Sequence, residues 1–256
     1  MKLGVMQGRL SLPVDGHIQE FPTHWMGEFV LLKRTQLSHL EWLVTEKSFR
    51  NNPILVPQYS LNYMPISSIC ADNLVDERIT DKEFLFSNLI PICEGALKNG
   101  VPRITIPLLE DSSVEDDEKR DAFSKLISEI AFKYLNLKFS FETELEPKKL
   151  LEILNKMPNF FVTYDTGNIT SCGFDHKEYV NLLSKHIDNV HLKDRTYDAK
   201  TVAPGTGDTD FKLIFQLLNE IGYNGPYTMQ TAREAEGKEY ETIMRHKEIF
   251  EGVFNE

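Results

Sequence analysis

The chain has 256 residues, a length that suits one closed α/β barrel of about 250 and is enough to bury a core without disulfide or metal staples. With 28 Lys and Arg against 39 Asp and Glu the net charge is −11, the wrong sign for a protein that tracks phosphate backbones, so no nucleic-acid partner is expected. The 41% hydrophobic and 26% charged residues are ordinary for a globular domain.

Three cysteines, Cys70, Cys93 and Cys172, stand at no CxxC spacing, which argues against a disulfide framework or a thiolate zinc site. The opening MKLGVMQGRL has no apolar run of signal-peptide length. No stretch of about 18 apolar residues exists, so no membrane span is expected. The expectation is a reduced, cytoplasmic protein.

In chain order, Leu3–Met6 (LGVM) reads as a first strand and His24–Gln36 as a helix. His39–Val44 (HLEWLV) reads as a second strand, while the stretch Asn52–Tyr63, broken by Pro53 and Pro57, is expected to hold only short turns. Ile66–Cys70 (ISSIC) is the third strand. Glu83–Asn99 follows with apolar residues at helical spacing and a stop at Gly100. Arg103–Pro107 (RITIP) is the fourth. The acidic run Glu110–Glu118 is expected to be a solvated loop entering a helix over Asp116–Tyr134.

Lys138–Glu142 (KFSFE) is the fifth strand, and Glu146–Met157 carries Pro147 in its first helical turn. Phe160–Tyr164 (FFVTY), a helix over Asp175–His186, and Asn189–Leu192 (NVHL) come next. Asp210–Ile221 has an N-cap residue at Asp210 and a stop at Gly222. Tyr227–Gln230 (YTMQ) is the eighth strand, and Tyr240–Phe254 the closing helix. Eight strand-plus-helix units of about 32 residues each predict a parallel sheet and a (β/α)8 TIM barrel, a single domain over 1–256. The competing doubly wound sheet needs a glycine-rich first turn, and only Gly8 stands there. Without such a fingerprint, nothing points to a nucleotide cofactor.

Active sites of such barrels lie at the C-terminal ends of the strands. Glu142 (FSFETE), Asp165 (TYDTGN), His191 (NVHLKDR) and Gln230 (YTMQTAR) end four consecutive strands. Barrel closure would gather them into a ring of two carboxylates, an imidazole and an amide oxygen, a donor set for one divalent ion such as Mn, Zn, Co or Mg. His39 and Glu41 are two apart on one face of the second strand.

The motifs TYDTGN, NVHLKD and PGTGDTDF, in that order after FETE, resemble the sugar phosphate isomerase/epimerase family, the xylose isomerase-like TIM barrels; the opening LGVMQGRL and the HLEW segment are similar too. The resemblance runs over almost the whole chain. It implies a Glu–Asp–His–Glu metal site, matched at its first three positions by Glu142, Asp165 and His191, with Gln230 where the family has its second glutamate. It also implies a metal-dependent isomerase or epimerase acting on a sugar or sugar phosphate through an enediolate, in proteins that associate into homo-oligomers.

The departure at Gln230 has chemical content. An amide can donate an oxygen to a metal but cannot carry a proton to or from carbon, so a two-base epimerisation lacks its second base. A one-base aldose–ketose isomerisation stays open, with Glu142 as candidate base and Glu41 as the second. A related lyase or dehydratase, and a non-catalytic sugar-binding barrel, are the alternatives. An endonuclease would need further metal ligands and a basic groove. Substrate-binding candidates are Arg9 in a long early loop, His39, Asn168 of DTGN, Lys193 and Arg195 at alternating positions, and Arg233 after the eighth strand. The glycine-bearing loop Ala203–Asp208 (APGTGD) is a candidate phosphate cradle.

Overall fold

The computed structural model describes residues 1–17 and 19–255. Its strands are β1 (Lys2–Met6), β2 (Leu40–Leu43), β3 (Ile66–Cys70), β4 (Arg103–Leu108), β5 (Lys138–Thr143), β6 (Phe160–Asp165), β7 (Ile187–Leu192), the two-residue β8 (Asp194–Arg195) and β9 (Thr201–Val202), and β10 (Pro226–Met229). The helices are α1 (Trp25–Thr35), α2 (Lys82–Asn99), α3 (Asp117–Lys133), α4 (Pro147–Leu154), α5 (Thr166–Ser171), α6 (His176–Leu183), α7 (Phe211–Glu220) and α8 (Glu239–Phe254). Eight strands close into a barrel in the order β1-β10-β7-β6-β5-β4-β3-β2, and the β8–β9 pair stands apart as a small antiparallel ribbon. All eight expected strands are present, in a (β/α)8 TIM barrel. No described helix is long and apolar enough to cross a membrane.

Helix starts follow local chemistry. The side chains of Asp81, Asp116, Asp175 and Asp210 accept a backbone N–H of the first turn of α2, α3, α6 and α7, satisfying donors the helix itself cannot. Gly100 closes α2 in the left-handed region at φ 67°. After β2 there is only a 3-10 turn at Phe49–Asn51 before β3, as the prolines dictate. The acidic run holds a 3-10 turn, Glu110–Ser112, ahead of α3. Two features were not expected: the short helix α5, which begins immediately at Asp165, and the β8–β9 ribbon.

The chain forms two compact units, 1–41 with 164–256, and 42–163. Within the second unit, Ser68 of β3, Thr105 of β4, Thr163 of β6 and Ser140 of β5 form, in that order, a buried hydroxyl chain with links of 2.8, 3.5 and 2.8 Å. Neighbouring positions face the other way: Phe141 meets Phe123 of α3 edge-on at 5.9 Å and Phe160 at 5.1 Å. Within the first unit, His39 spans from Ser38 Oγ (2.8 Å) to Thr228 Oγ1 of β10 (3.3 Å). Its ring passes over Gly4 of β1, where a Cβ would lie 2.3 Å from the imidazole.

Candidate metal and active site

Side chains two apart on a strand share a face. Ser140 is followed on its face by Glu142, Thr163 by Asp165, Asn189 by His191, Thr228 by Gln230, and His39 by Glu41. The hydroxyl and imidazole layer therefore marks the inward face, and the candidate ligands are the next inward residues toward the strand ends. Glu142, Asp165, His191 and Gln230 are all buried, at 4% exposure or less.

The structure brings Glu142, Asp165 and His191 together: each offers one ligand atom, all within 4.8 Å of one another. In Asp165 the two oxygens have different work. Oδ1 caps α5 by accepting the N–H of Asn168 at 2.8 Å, and Oδ2 lies 2.8 Å from Lys193 Nζ and 4.0 Å from His191 Nδ1. Burial alone would raise the Asp165 carboxyl, but the Lys193 ammonium, the His191 ring and the Asn168 N–H hold it below its usual value.

Gln230 follows β10, its backbone N–H bonded to Leu192 O at 3.1 Å. Its side-chain oxygen Oε1 is buried and has no hydrogen-bond partner. Such an orphaned acceptor is costly, and a cation beside it would relieve that cost. The donor set, two carboxylates, an imidazole nitrogen and an amide oxygen, fits a hard or borderline divalent ion.

Glu41 is fully buried. Its Oε2 lies 2.9 Å from His191 Nε2 and accepts from Asn189 Nδ2 at 3.0 Å. His39 lies one inward step earlier on the same strand face, bonded to Ser38 and Thr228 rather than gathered with the ligand group. Asn168 Oδ1 accepts from Lys193 Nζ (3.3 Å) and from Arg195 Nη1 (3.1 Å), which also reaches Ser171 Oγ at 3.1 Å. Two cations thus converge at the start of α5.

Arg9 and Arg233 line a cavity of about 230 Å³ together with Glu234, Glu236 and Glu239. Arg9 donates from Nε to Thr231 O at 2.9 Å. Arg233 donates to Gly8 O at 2.9 Å and Ser11 O at 3.1 Å, strapping the loop after β1, and burial lowers its pKa.

The APGTGD loop does not wait for a phosphate. Its N–H groups already enclose an anion of the chain: Asp194 Oδ2 accepts from Gly205 (2.8 Å) and Gly207 (3.0 Å), and Oδ1 from Thr209 (3.2 Å). The phosphate-cradle expectation fails because the carboxylate of the HLKD motif fills the nest. Sequence reasoning also passed over Asn189, whose period-two relation to His191 was readable. It passed over Glu28 as well, a helical glutamate that no pattern distinguishes from a solvated one.

A family model described as a xylose isomerase-like TIM barrel matches residues 59–248. An inosose dehydratase of Clostridium tetani is 26% identical over 180 residues, 57% of this chain and 59% of that protein. The L-ribulose-5-phosphate 3-epimerase UlaE of Salmonella paratyphi A is 35% identical over 74 residues, 28% of this chain and 26% of that protein. The chain spans about a third to three fifths of the length of the inosose dehydratases it matches. Among solved structures, the IolI protein, crystallised with a bound zinc atom, superposes with a TM-score of 0.76 at 16% identity, covering 100% of this chain and 98% of IolI.

Proposed function

Because the chain belongs to the xylose isomerase-like TIM barrel family, we propose that it is a divalent-metal-dependent enzyme that deprotonates the carbon beside the carbonyl of a keto sugar or cyclic keto-polyol. Glu142, Asp165, His191 and Gln230 are the residues that would hold the ion. The observation that carries this reading is the grouping of three of them within 4.8 Å, and the orphaned Gln230 oxygen supports it. A bound ion supplies polarisation of the substrate carbonyl and so eases loss of the neighbouring proton.

Glu142 is the base. It takes the proton from carbon as an enediolate forms, and two fates then need no second base. Returning the proton to the adjacent carbon on the same face, while the hydroxyl proton passes from one oxygen of the enediolate to the other, completes an isomerisation. If instead the β-hydroxyl leaves, the C–O bond breaks, the departing oxygen takes the proton from Glu142, and an enone plus water result. In both, the carboxylate is regenerated. Gln230 can bind but cannot return a proton at carbon, which disfavours the two-base epimerisation. Loss of water comes first among assays because several curated relatives are named inosose dehydratases. Lys193 and Arg195, converging on Asn168, would meet an acidic or hydroxyl-rich end of the substrate.

The test begins with metal content by mass spectrometry on protein purified without chelator, beside Asp165→Ala. About one divalent ion per chain, lost in the variant, is expected. The loaded protein is then incubated in D2O with inososes, ketoses and ketose phosphates and followed by proton NMR. Deuterium exchange beside the carbonyl is expected, with enone or aldose formed, and a fall of about 10²–10⁴-fold in Glu142→Gln. No metal uptake and no exchange with any of the panel would leave a non-catalytic sugar-binding barrel in place of the enzyme.

A further inference from the structure

We propose that Glu41 is a positioning residue that acts through His191, fixing which ring nitrogen faces the ligand group; this rests on the metal-site reading above. The sequence offered Glu41 as a base. Its surroundings point to another task. It is fully buried, and one carboxylate oxygen, Oε2, lies 2.9 Å from His191 Nε2 and accepts from Asn189 Nδ2 at 3.0 Å. Asn189 is itself fully buried and precedes His191 by two residues, so the two side chains leave β7 on one face. The amide and the imidazole thus meet at one carboxylate oxygen, with Asn189 Nδ2 3.3 Å from His191 Nε2.

The consequence is directional. An ionised carboxylate accepts and never donates, so beside an ionised Glu41 the nitrogen facing it carries the proton. His191 therefore keeps Nε2–H toward Glu41 and turns Nδ1 toward Asp165 Oδ2, 4.0 Å away. A ring held this way cannot rotate to offer Nε2 to an ion without breaking a buried charge-assisted bond. Outer carboxylates of this kind orient a ligating imidazole and raise its basicity. A base, by contrast, needs access to a substrate carbon, and Glu41 is spent on two interior donors.

Two measurements test the assignment. In metal-free wild-type protein carrying 15N-labelled histidine, NMR should find a protected, hydrogen-bonded proton on His191 Nε2 whether the ring is neutral or cationic. A bare Nε2 would overturn the proposal. In zinc titrations by calorimetry, Glu41→Gln should bind about 10–100-fold more weakly than wild type while its circular dichroism and melting remain those of a folded barrel. An affinity within about threefold of wild type would overturn it as well. If Glu41→Gln does not fold, the wild-type NMR result decides alone. If the wild-type protein takes up no zinc, the functional reading above fails, and the position of the Nε2 proton still decides the role of Glu41.

Discussion

Removing the Asp194 carboxylate should unfasten the loop after β7 and open an anion site that the native protein keeps filled. Asp194 is fully buried and accepts three backbone N–H groups, from Gly205, Gly207 and Thr209. The fit is close: a Cβ on Gly207 would lie 2.3 Å from Asp194 Oδ1. Hydrogen bonds to a charged group contribute about 1.5–3 kcal/mol each. Water can reach the half-buried donors of Gly205 and Gly207 once the carboxylate is gone, so Asp194→Ala should cost about 3–5 kcal/mol rather than the full total. Asp194→Asn should cost about 1–3 kcal/mol, because a carbonyl at the Oδ2 position keeps two bonds while the amide turns donors onto Thr209 N–H.

Urea denaturation measures both. The distinguishing readout is inorganic phosphate. At about 100 times its dissociation constant, an anion that refills the emptied nest of Asp194→Ala returns roughly 2.7 kcal/mol, whereas wild type, whose nest is occupied, should not respond. A loss below about 1 kcal/mol in Asp194→Ala, or equal phosphate stabilisation of both proteins, would refute the reasoning.

Two further outcomes are expected. Gly4→Ala should destabilise the fold by about 2–4 kcal/mol, since its Cβ would meet the buried His39 ring at 2.3 Å and displace its bond to Thr228; a change under about 0.5 kcal/mol in urea would count against the packing described. Burial pushes Glu28 up to about 7, despite the N–H groups of Gly8 and Leu10, the Ser11 hydroxyl and the Arg233 charge. Its folded state thus binds the proton more tightly than its unfolded state, so the carboxyl erodes stability progressively as pH rises from about 4.5 to 7. Glu28→Gln, which mimics the protonated acid, should therefore gain on wild type by roughly 2.5 kcal/mol between pH 5 and pH 8, and parallel pH profiles of the two would refute it.

The barrel was legible because its signals are local. Short apolar runs such as RITIP and FFVTY alternate with segments that carry their own caps at Asp116, Asp175 and Asp210, and closure follows from eight repeats. Glu142, Asp165, His191 and Gln230 could be named because strand ends can be read from the same runs. What could not be read was depth and partnership. Glu41 and His191 are 150 residues apart, and only the stagger of a closed barrel decides that they meet inside it. Likewise HLKD shows an aspartate, but nothing in four residues says that it turns back into a loop 11 to 15 residues downstream.

The interior polar groups show where chemistry was left open by the fold. Small hydroxyls and His39 satisfy one another on the inward faces of the strands, Glu41 is satisfied by His191 and Asn189, and Asp194 by its own loop. Structure-building carboxylates are thus buried with their donors supplied. The Gln230 oxygen is buried without one, and three ligand-bearing groups on other strands lie within 4.8 Å of one another. Asn73 Oδ1 and Asn159 Oδ1 are unmatched as well, but Gln230 follows the strand that pairs with the one carrying His191, where the donor set suits a cation. A glutamate at position 230 would add a negative charge and a second proton carrier at once. The amide adds neither, so in the proposed reaction a bound ion would keep more of its charge for the substrate carbonyl while proton transfer would fall to one side of the substrate alone. Isomerisation and elimination of water tolerate that asymmetry, and inversion of a single carbon does not.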